Sequence, residues 1–240
     1  MTGFVDLHCH LLWATDDGPE TADESVELCR ALAGAGFSEA VTTSHAWPEL
    51  PGAAANGVRR DELRERLAAA GVALALHAGA ENRLDLDLLE RSARGDARPL
   101  GAGSWVLVEA PHKLPLPGMA ELCFRLQIAG LRLLIAHPER CRAFFDDDGL
   151  AARLVASGCA LQVEVGSLAG VYGKPAQKLA RKLLDGGLVA VAASDVHRPK
   201  SGAKLLAEGL PALRRAVGDA ALRVLLDHNP RRVLRGEPLA

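Results

Sequence analysis

Short apolar runs alternate with amphipathic helical patterns from one end of the 240-residue chain to the other, and this alternation constrains the fold more than any other feature. The runs "GFVDLH", "EAVTTSH", "VALALHAGAE", "SWVLVEA", "LRLLIAHPER", "CALQVEVGS" and "LVAVAASDVH" predict seven strands. Helical patterns follow most of them. "TADESVELCRALAGAGF" starts on a capping box of Thr21 and Glu24 and stops at Gly34 to Gly36, and residues 118–129, 149–157, 174–185 and 204–217 carry the same signal. Strands joined by helices pair in parallel, because a parallel pair needs a crossover that the helix supplies. The choice lies between an open doubly wound sheet and a barrel. "GAGSW", beginning at Gly101, precedes a strand instead of linking a strand to a helix, so it is a poor dinucleotide loop. The Pro-rich "APHKLPLPGM" reads as a long loop rather than a linker, since the alternation resumes at once. One domain over residues 1–240 is expected, in keeping with 49% hydrophobic residues.

The polar residues gather at one place in this pattern. "DLHCH" ends the first run, and side chains at i and i+2 of a strand share a face, so His8 and His10 project together while Cys9 points away. His45 closes the second run, Glu81 the third, Glu109 the fourth, His137 the fifth, and Asp195 with His197 the last. All stand at C-terminal strand ends, the face on which barrel enzymes assemble their sites. Any one of them alone reads as a capped or solvated residue; together they read as a cluster. Buried His and carboxylate groups without a plausible Cys ligand suit manganese, iron or zinc in a hydrolytic site, with ligands enough for two or three ions.

Other chemistries find little support. With 28 Lys plus Arg against 30 Asp plus Glu, the formal charge of -2 offers no general attraction for nucleic acid or an anionic membrane. Five scattered cysteines, without a CxxC pair, argue against a disulfide framework and fit a reducing cytoplasm. The N-terminus lacks the pattern of a signal peptide, and no apolar run is long enough to span a bilayer. None of the cysteines stands in a CxxxxxR loop, and no GxSxG appears. His77 is expected within a strand, packed or capped, His228 at a helix terminus, and His112 in a solvated loop.

Taken together, "DLHCHLLWATDDGPET", "TTSH", "GAE", "LVEAP", "AHPER", "LQVEVGSLAGVYG" and "SDVH" occur in an order that resembles the PHP (polymerase and histidinol phosphatase) superfamily. "DDGP" with "HPER" resembles its bacterial manganese-dependent tyrosine phosphatases of capsule and exopolysaccharide systems. That resemblance implies a distorted seven-stranded (β/α)7 barrel of α/β class with manganese bound as two or three ions. By position, His8, His10, Glu81 and Asp195 would hold the first ion, Glu81, Glu109 and His137 the second, and Asp17, His45 and His197 the third. Arg140 would contact the phosphate and Asp16 would stand beside the ligands. It further implies a metal-bridging hydroxide as nucleophile and a phosphotyrosine protein substrate, with a bacterial tyrosine kinase as the opposing partner. A histidinol-phosphate phosphatase, or an inactive metal-binding module of the same superfamily, is the alternative. The chain departs from that family's usual residues at Ala46, at Cys141 and around Glu164, on the substrate rim, while every ligand position is kept.

Overall fold

A computed structural model describes residues 3–239. Eight parallel strands run through them: β1 (Phe4–Cys9), β2 (Phe37–Thr42), β3 (Ala75–Ala78), β4 (Glu81–Arg83), β5 (Trp105–Glu109), β6 (Arg132–Ala136), β7 (Ala160–Glu164) and β8 (Val189–Ala193). Around them lie α1 (Ala22–Gly34), α2 (Ala53–Ala69), α3 (Asp87–Ala93), α4 (Met119–Ile128), α5 (Arg142–Asp146) and α6 (Leu150–Ala156), followed by α7 (Val165–Leu168), α8 (Lys174–Asp185), α9 (Pro199–Arg223) and α10 (Asn229–Leu234).

The expected count of seven strands is corrected to eight, in two sheets ordered β1-β2-β3 and β4-β5-β6-β7-β8. The sequence run "VALALHAGAE" is one apolar stretch, but the backbone breaks between β3 and β4 at Gly79. There the chain presses so closely on β2 that any Cβ at Gly79 would collide with Val41 Cγ1.

Two seams join the sheets. On one side His8 O accepts from Asp195 N at 2.8 Å and Val196 O from His10 N at 2.9 Å, so the end of β1 is stitched to the segment after β8. On the other, Thr43 O accepts from Glu81 N at 3.2 Å and Glu81 O from Ala46 N at 2.9 Å. Below the first seam the buried Asp6 carboxylate accepts from His8 N and Ser194 N, each at 3.2 Å, and from the Ser194 hydroxyl.

Alternation along the strands divides the apolar residues in two. Val5, Leu7, Val41, Trp105, Leu107, Leu134, Ala136, Ala160 and Val191 pack together inside, while Val106, Val108, Leu133, Ile135, Leu161 and Val163 pack outward with the helices. The inner face continues upward into polar residues, Leu107 to Glu109, Ala160 to Gln162 and Glu164, and Val191 to Asp195. In β1 a register shift between Asp6 and Cys9 resets the alternation, so Leu7 faces in and Cys9 faces out.

The expected capping box of α1 is half formed. Thr21 Oγ1 accepts from Glu24 N at 3.2 Å, but Glu24 Oε2 takes Glu20 N, at 2.7 Å, one residue before the cap. At the opposite end of the strands residues 224–239 close the barrel. Arg231 donates to Gly3 O at 2.9 Å, to Asp227 Oδ1 at 2.6 Å and to Glu39. Asn229 reaches Ala190 O at 2.8 Å, and the carbonyls of Glu237 and Gly236 accept from Trp105 at 2.8 Å and Arg132 at 2.7 Å. No helix of the described residues is long and apolar enough to cross a membrane.

Candidate metal centre

All nine His and carboxylate candidates come to the same face, although Glu81 opens β4 instead of closing a strand as expected, and Asp17 stands on the loop after β1. Glu81 is at the middle of that face: Oε2 lies 3.2 Å from His8 Nε2, 3.4 Å from His10 Nε2 and 3.1 Å from His45 Nδ1, while Oε1 lies 3.0 Å from His137 Nε2. Asp195 Oδ1 is 3.0 Å from His8 Nε2 and 3.4 Å from His10 Nε2, and those two nitrogens are 3.4 Å apart. Glu109 Oε1 stands 3.8 Å from His137 Nε2, and Oε2 4.0 Å from His45 Nδ1. Asp17 Oδ1 lies 3.3 Å from His197 Nε2 and 3.6 Å from His45 Nε2. Asp17 differs from the rest in that its side chain is 66% exposed.

Two of these residues sit in backbone conformations that side chains rarely adopt. His137 has φ 31° and Asp195 φ 53°. Each is the first residue past the end of a strand or one beyond it, and turning there swings the side chain over the barrel mouth; such strain persists where the surroundings enforce it.

The imidazoles are oriented by their second nitrogens. His10 Nδ1 donates to Asp16 Oδ2 at 2.7 Å, His8 Nδ1 to Gln162 Oε1 at 2.9 Å, and His197 Nδ1 to the Asp195 carbonyl at 2.8 Å. In each case Nε2 is left with its lone pair toward the cluster, the arrangement that metal-binding histidines use. Asp16 also accepts from His45 N and Gly18 N, both at 3.0 Å. A Cβ on Gly18 would sit 2.9 Å from Asp16 Oδ1, so the glycine of "DDGP" allows this close wrap.

The donor set fits metal ions. Atoms held about 2.1 Å from one ion are about 3.0–3.4 Å apart in octahedral or tetrahedral shells, the spacing seen among His8, His10, Glu81 and Asp195. Groups within ligand reach of one another include His8, His10 and Asp195; His45, Glu81 and Glu109; and His10, Asp17, His45 and His197. His45 Nδ1 and Asp195 Oδ1 are buried without a hydrogen-bond partner. Electrostatics agree. Burial opposes the charge on His8, yet Glu81 and Asp195 push its pKa up to about 10, the mark of carboxylates that favour a positive charge beside them. Burial also opposes ionisation of Glu81, but His8, His10, His137 and His45 hold it well below the usual carboxylate range. Glu109 is raised, by burial and then by the Glu81 charge.

Arg140 follows β6 and reaches across the rim. Its Nη1 donates to Glu164 Oε1 at 2.5 Å and Asp195 Oδ2 at 2.9 Å, and the guanidinium lies 4.2 Å from the Tyr172 ring centroid. Burial, with Asp195 beside it, pushes Glu164 up to about 8 despite Arg140.

Two expectations need correcting. His112 does lie in a loop and is 33% exposed, but it is not simply solvated: its Nε2 lies 3.3 Å from both Glu109 Oε1 and His137 Nδ1, and burial lowers it to about 4. Cys141 is not on the rim but fully buried, with Sγ donating to Ala110 O at 3.3 Å. His77 is capped as expected, with Nε2 2.7 Å from Glu39 Oε2. Sequence reasoning missed Gln162, Tyr172 and Trp47, whose ring stacks on His45 at 4.2 Å. Gln162 had a readable signal, since a lone amide in the apolar run "CALQVEV" must point at a polar partner when buried.

Comparison with known proteins bears on this geometry. The model of the family described as "Capsular polysaccharide synthesis, CpsB/CapC" matches residues 4–235. The chain is 31% identical over 240 residues to the tyrosine-protein phosphatase YwqE of Bacillus subtilis, covering 98% of this chain and 93% of that protein. It is 26% identical over 237 residues to the tyrosine-protein phosphatase CpsB of Streptococcus pneumoniae, covering 96% and 98%. A solved structure from work on YwqE and CpsB, described as unique metal-dependent tyrosine phosphatases, superposes with a TM-score of 0.90 at 30% identity, covering 98% of this chain and 96% of that one. A histidinol phosphate phosphatase of Lactococcus lactis, at 12% identity and a TM-score of 0.59 over 90% and 94% of the two chains, shares the fold alone.

Proposed function

The chain belongs to the CpsB/CapC family of capsular polysaccharide synthesis, and from that premise we propose that it is a metal-dependent protein-tyrosine phosphatase acting on phosphotyrosine proteins in capsule or exopolysaccharide regulation. The observation that carries the reading is the convergence of His8, His10, Asp17, His45, Glu81, Glu109, His137, Asp195 and His197 at donor-atom spacing, with a guanidinium at their edge. Manganese is the proposed metal, as two or three ions. Ions bound there would acidify water and neutralise charge developing on phosphorus.

The chain's own residues do the rest. Glu81 presents one oxygen to each half of the cluster and so can bridge. Asp16 and Gln162 fix His10 and His8 in the productive tautomer. Arg140 uses Nη1 on protein carboxylates, which leaves Nη2 and Nε to fork onto phosphate oxygens. Tyr172 covers one face of that guanidinium and limits its swing. A phenolate leaves with little protonation, so the scheme needs no dedicated general acid. Five buried free cysteines suit a cytoplasmic setting, with a tyrosine kinase supplying the substrate.

The test is phosphate release, with added manganese and after chelation, from a panel of phosphotyrosine peptide, phosphoserine peptide, histidinol phosphate and an oligonucleotide. Metal-dependent turnover confined to the first supports the reading; preference for histidinol phosphate, or turnover in excess chelator, overturns it.

A further inference from the structure

A cavity of about 570 Å³ opens beside the proposed centre, with Asp195 and His197 at its inner end. Its lining comes from Val171 and Tyr172 in the loop after α7, from Val196, and from Leu205 on α9. These side chains are apolar or aromatic where they meet the space, and Val171 is left 49% exposed at the mouth. Ser201, Lys204 and Glu208 form the outer rim. The inner end is deep: Asp195 is 5% exposed. Tyr172 serves both places, since its ring lines the cavity and stacks on Arg140.

We propose that this cavity receives the aromatic leaving group of an aryl phosphate together with the chain next to it, and that its apolar lining selects tyrosyl over seryl phosphates. The proposal rests on the phosphatase reading above. With phosphorus at Asp195, His197 and Arg140, the ester bond has to point outward, and the space it meets is lined by apolar side chains. A phenyl ring on the ester oxygen would bury apolar surface against Tyr172 and Leu205, whereas a seryl phosphate would bring its polar backbone to those same side chains. The volume lies within the range of about 300–1,000 Å³ typical of sites that enclose most of a small ligand, room for the ring and part of the flanking peptide. The charges of Lys204 and Glu208, 3.9 Å apart, leave the rim nearly neutral, so selection should rest on apolar contact rather than on charged neighbours.

The test fills the cavity from two positions without touching the centre. Ser201→Trp, at an exposed position of α9, and Val171→Trp, in the loop after α7, are compared with wild type on a phosphotyrosine peptide. KM is expected to rise at least tenfold in each, while bound manganese per chain and the inhibition constant of inorganic phosphate stay within twofold. Unchanged KM in both variants, with wild type active, would place the ring elsewhere and overturn the subsite alone. A wild-type protein that binds manganese yet releases no phosphate from the peptide would overturn the phosphatase reading and the subsite with it. Loss of manganese from both variants would overturn the separation of cavity and centre.

Discussion

The two ends of the barrel join the same two sheets by opposite means. At the lower end Arg231 engages Gly3 O, Asp227 and Glu39, and Glu39 in turn holds His77, so each charge there meets a partner from the chain itself. At the upper end Glu81 and Asp195 crowd against His8, His10 and His45 with lone pairs facing one another, and Arg140 is the one permanently charged cation in contact with them among the described residues. Buried polar groups cost free energy unless paired. The lower end therefore stabilises the apo chain, whereas the upper end leaves its balance to protons or ions.

Substitutions at each end should separate these roles. The largest effect is expected for Glu81→Gln, which removes the charge shared by four histidines. Turnover should fall by about 1,000-fold or more and bound metal should drop, while the melting temperature of the apo protein holds or rises. An apo protein that unfolds would show the upper end to be structural after all. Next, Arg140→Ala should lower kcat/KM by about 100-fold to 1,000-fold with metal content near wild type, and Arg140→Lys should recover part of that, because a point charge replaces charge without the fork. Depleted metal in Arg140→Ala would mean that the guanidinium supports Asp195 rather than substrate. Asp16→Asn should weaken metal affinity by about 10-fold to 100-fold, measured by competition with a chelating dye, with kcat at saturating metal largely kept.

The smallest catalytic effect belongs to the lower end. Arg231→Ala should leave kcat and metal content unchanged but cost about 1 kcal/mol of stability, since Glu39 is then left to His77 and Asp227 to Arg223. Here the pH dependence has a definite sign. Burial raises the pKa of Glu39, but Arg231 and His77 outweigh it and hold the carboxyl below its ordinary value of 4.5. The stability it contributes is thus present above that unfolded value and is lost as pH falls through the lower folded one. Screening keeps this contribution small. In Arg231→Ala the acid-side decline should be shallower, as read from urea midpoints between pH 6 and pH 3; an unchanged slope would mean that Glu39 gains nothing from Arg231.

Much of the upper end was legible because strand ends are marked by the change from apolar to polar residues, and period two then places Glu109 and Asp195 on the inner face. What could not be read depends on contacts far apart in sequence. The close approach that reserves position 79 for glycine, at the break between β3 and β4, comes from Val41, 38 positions earlier. His112 reads as a solvated loop residue until Glu109 and His137 are found beside it, and Cys141 reads as a rim residue until its thiol is seen turned toward Ala110. The closure of the lower end by residues 224–239 left no motif, because most of its bonds use backbone carbonyls, which any residue can present.

The seams between the sheets run through the proposed ligands: the backbone of His8, His10, Asp195 and Glu81 forms the very hydrogen bonds that close the barrel above its core. A ligand that binds only the folded state raises its stability by about 1.4 kcal/mol for each tenfold excess of concentration over the dissociation constant. Here that gain would fall on the seams first. Amide hydrogen exchange at Glu81, Ala46, His10 and Asp195 would thus report the fastening directly, slowing with each increment of free manganese while the amides at the Arg231 end exchange at their own pace.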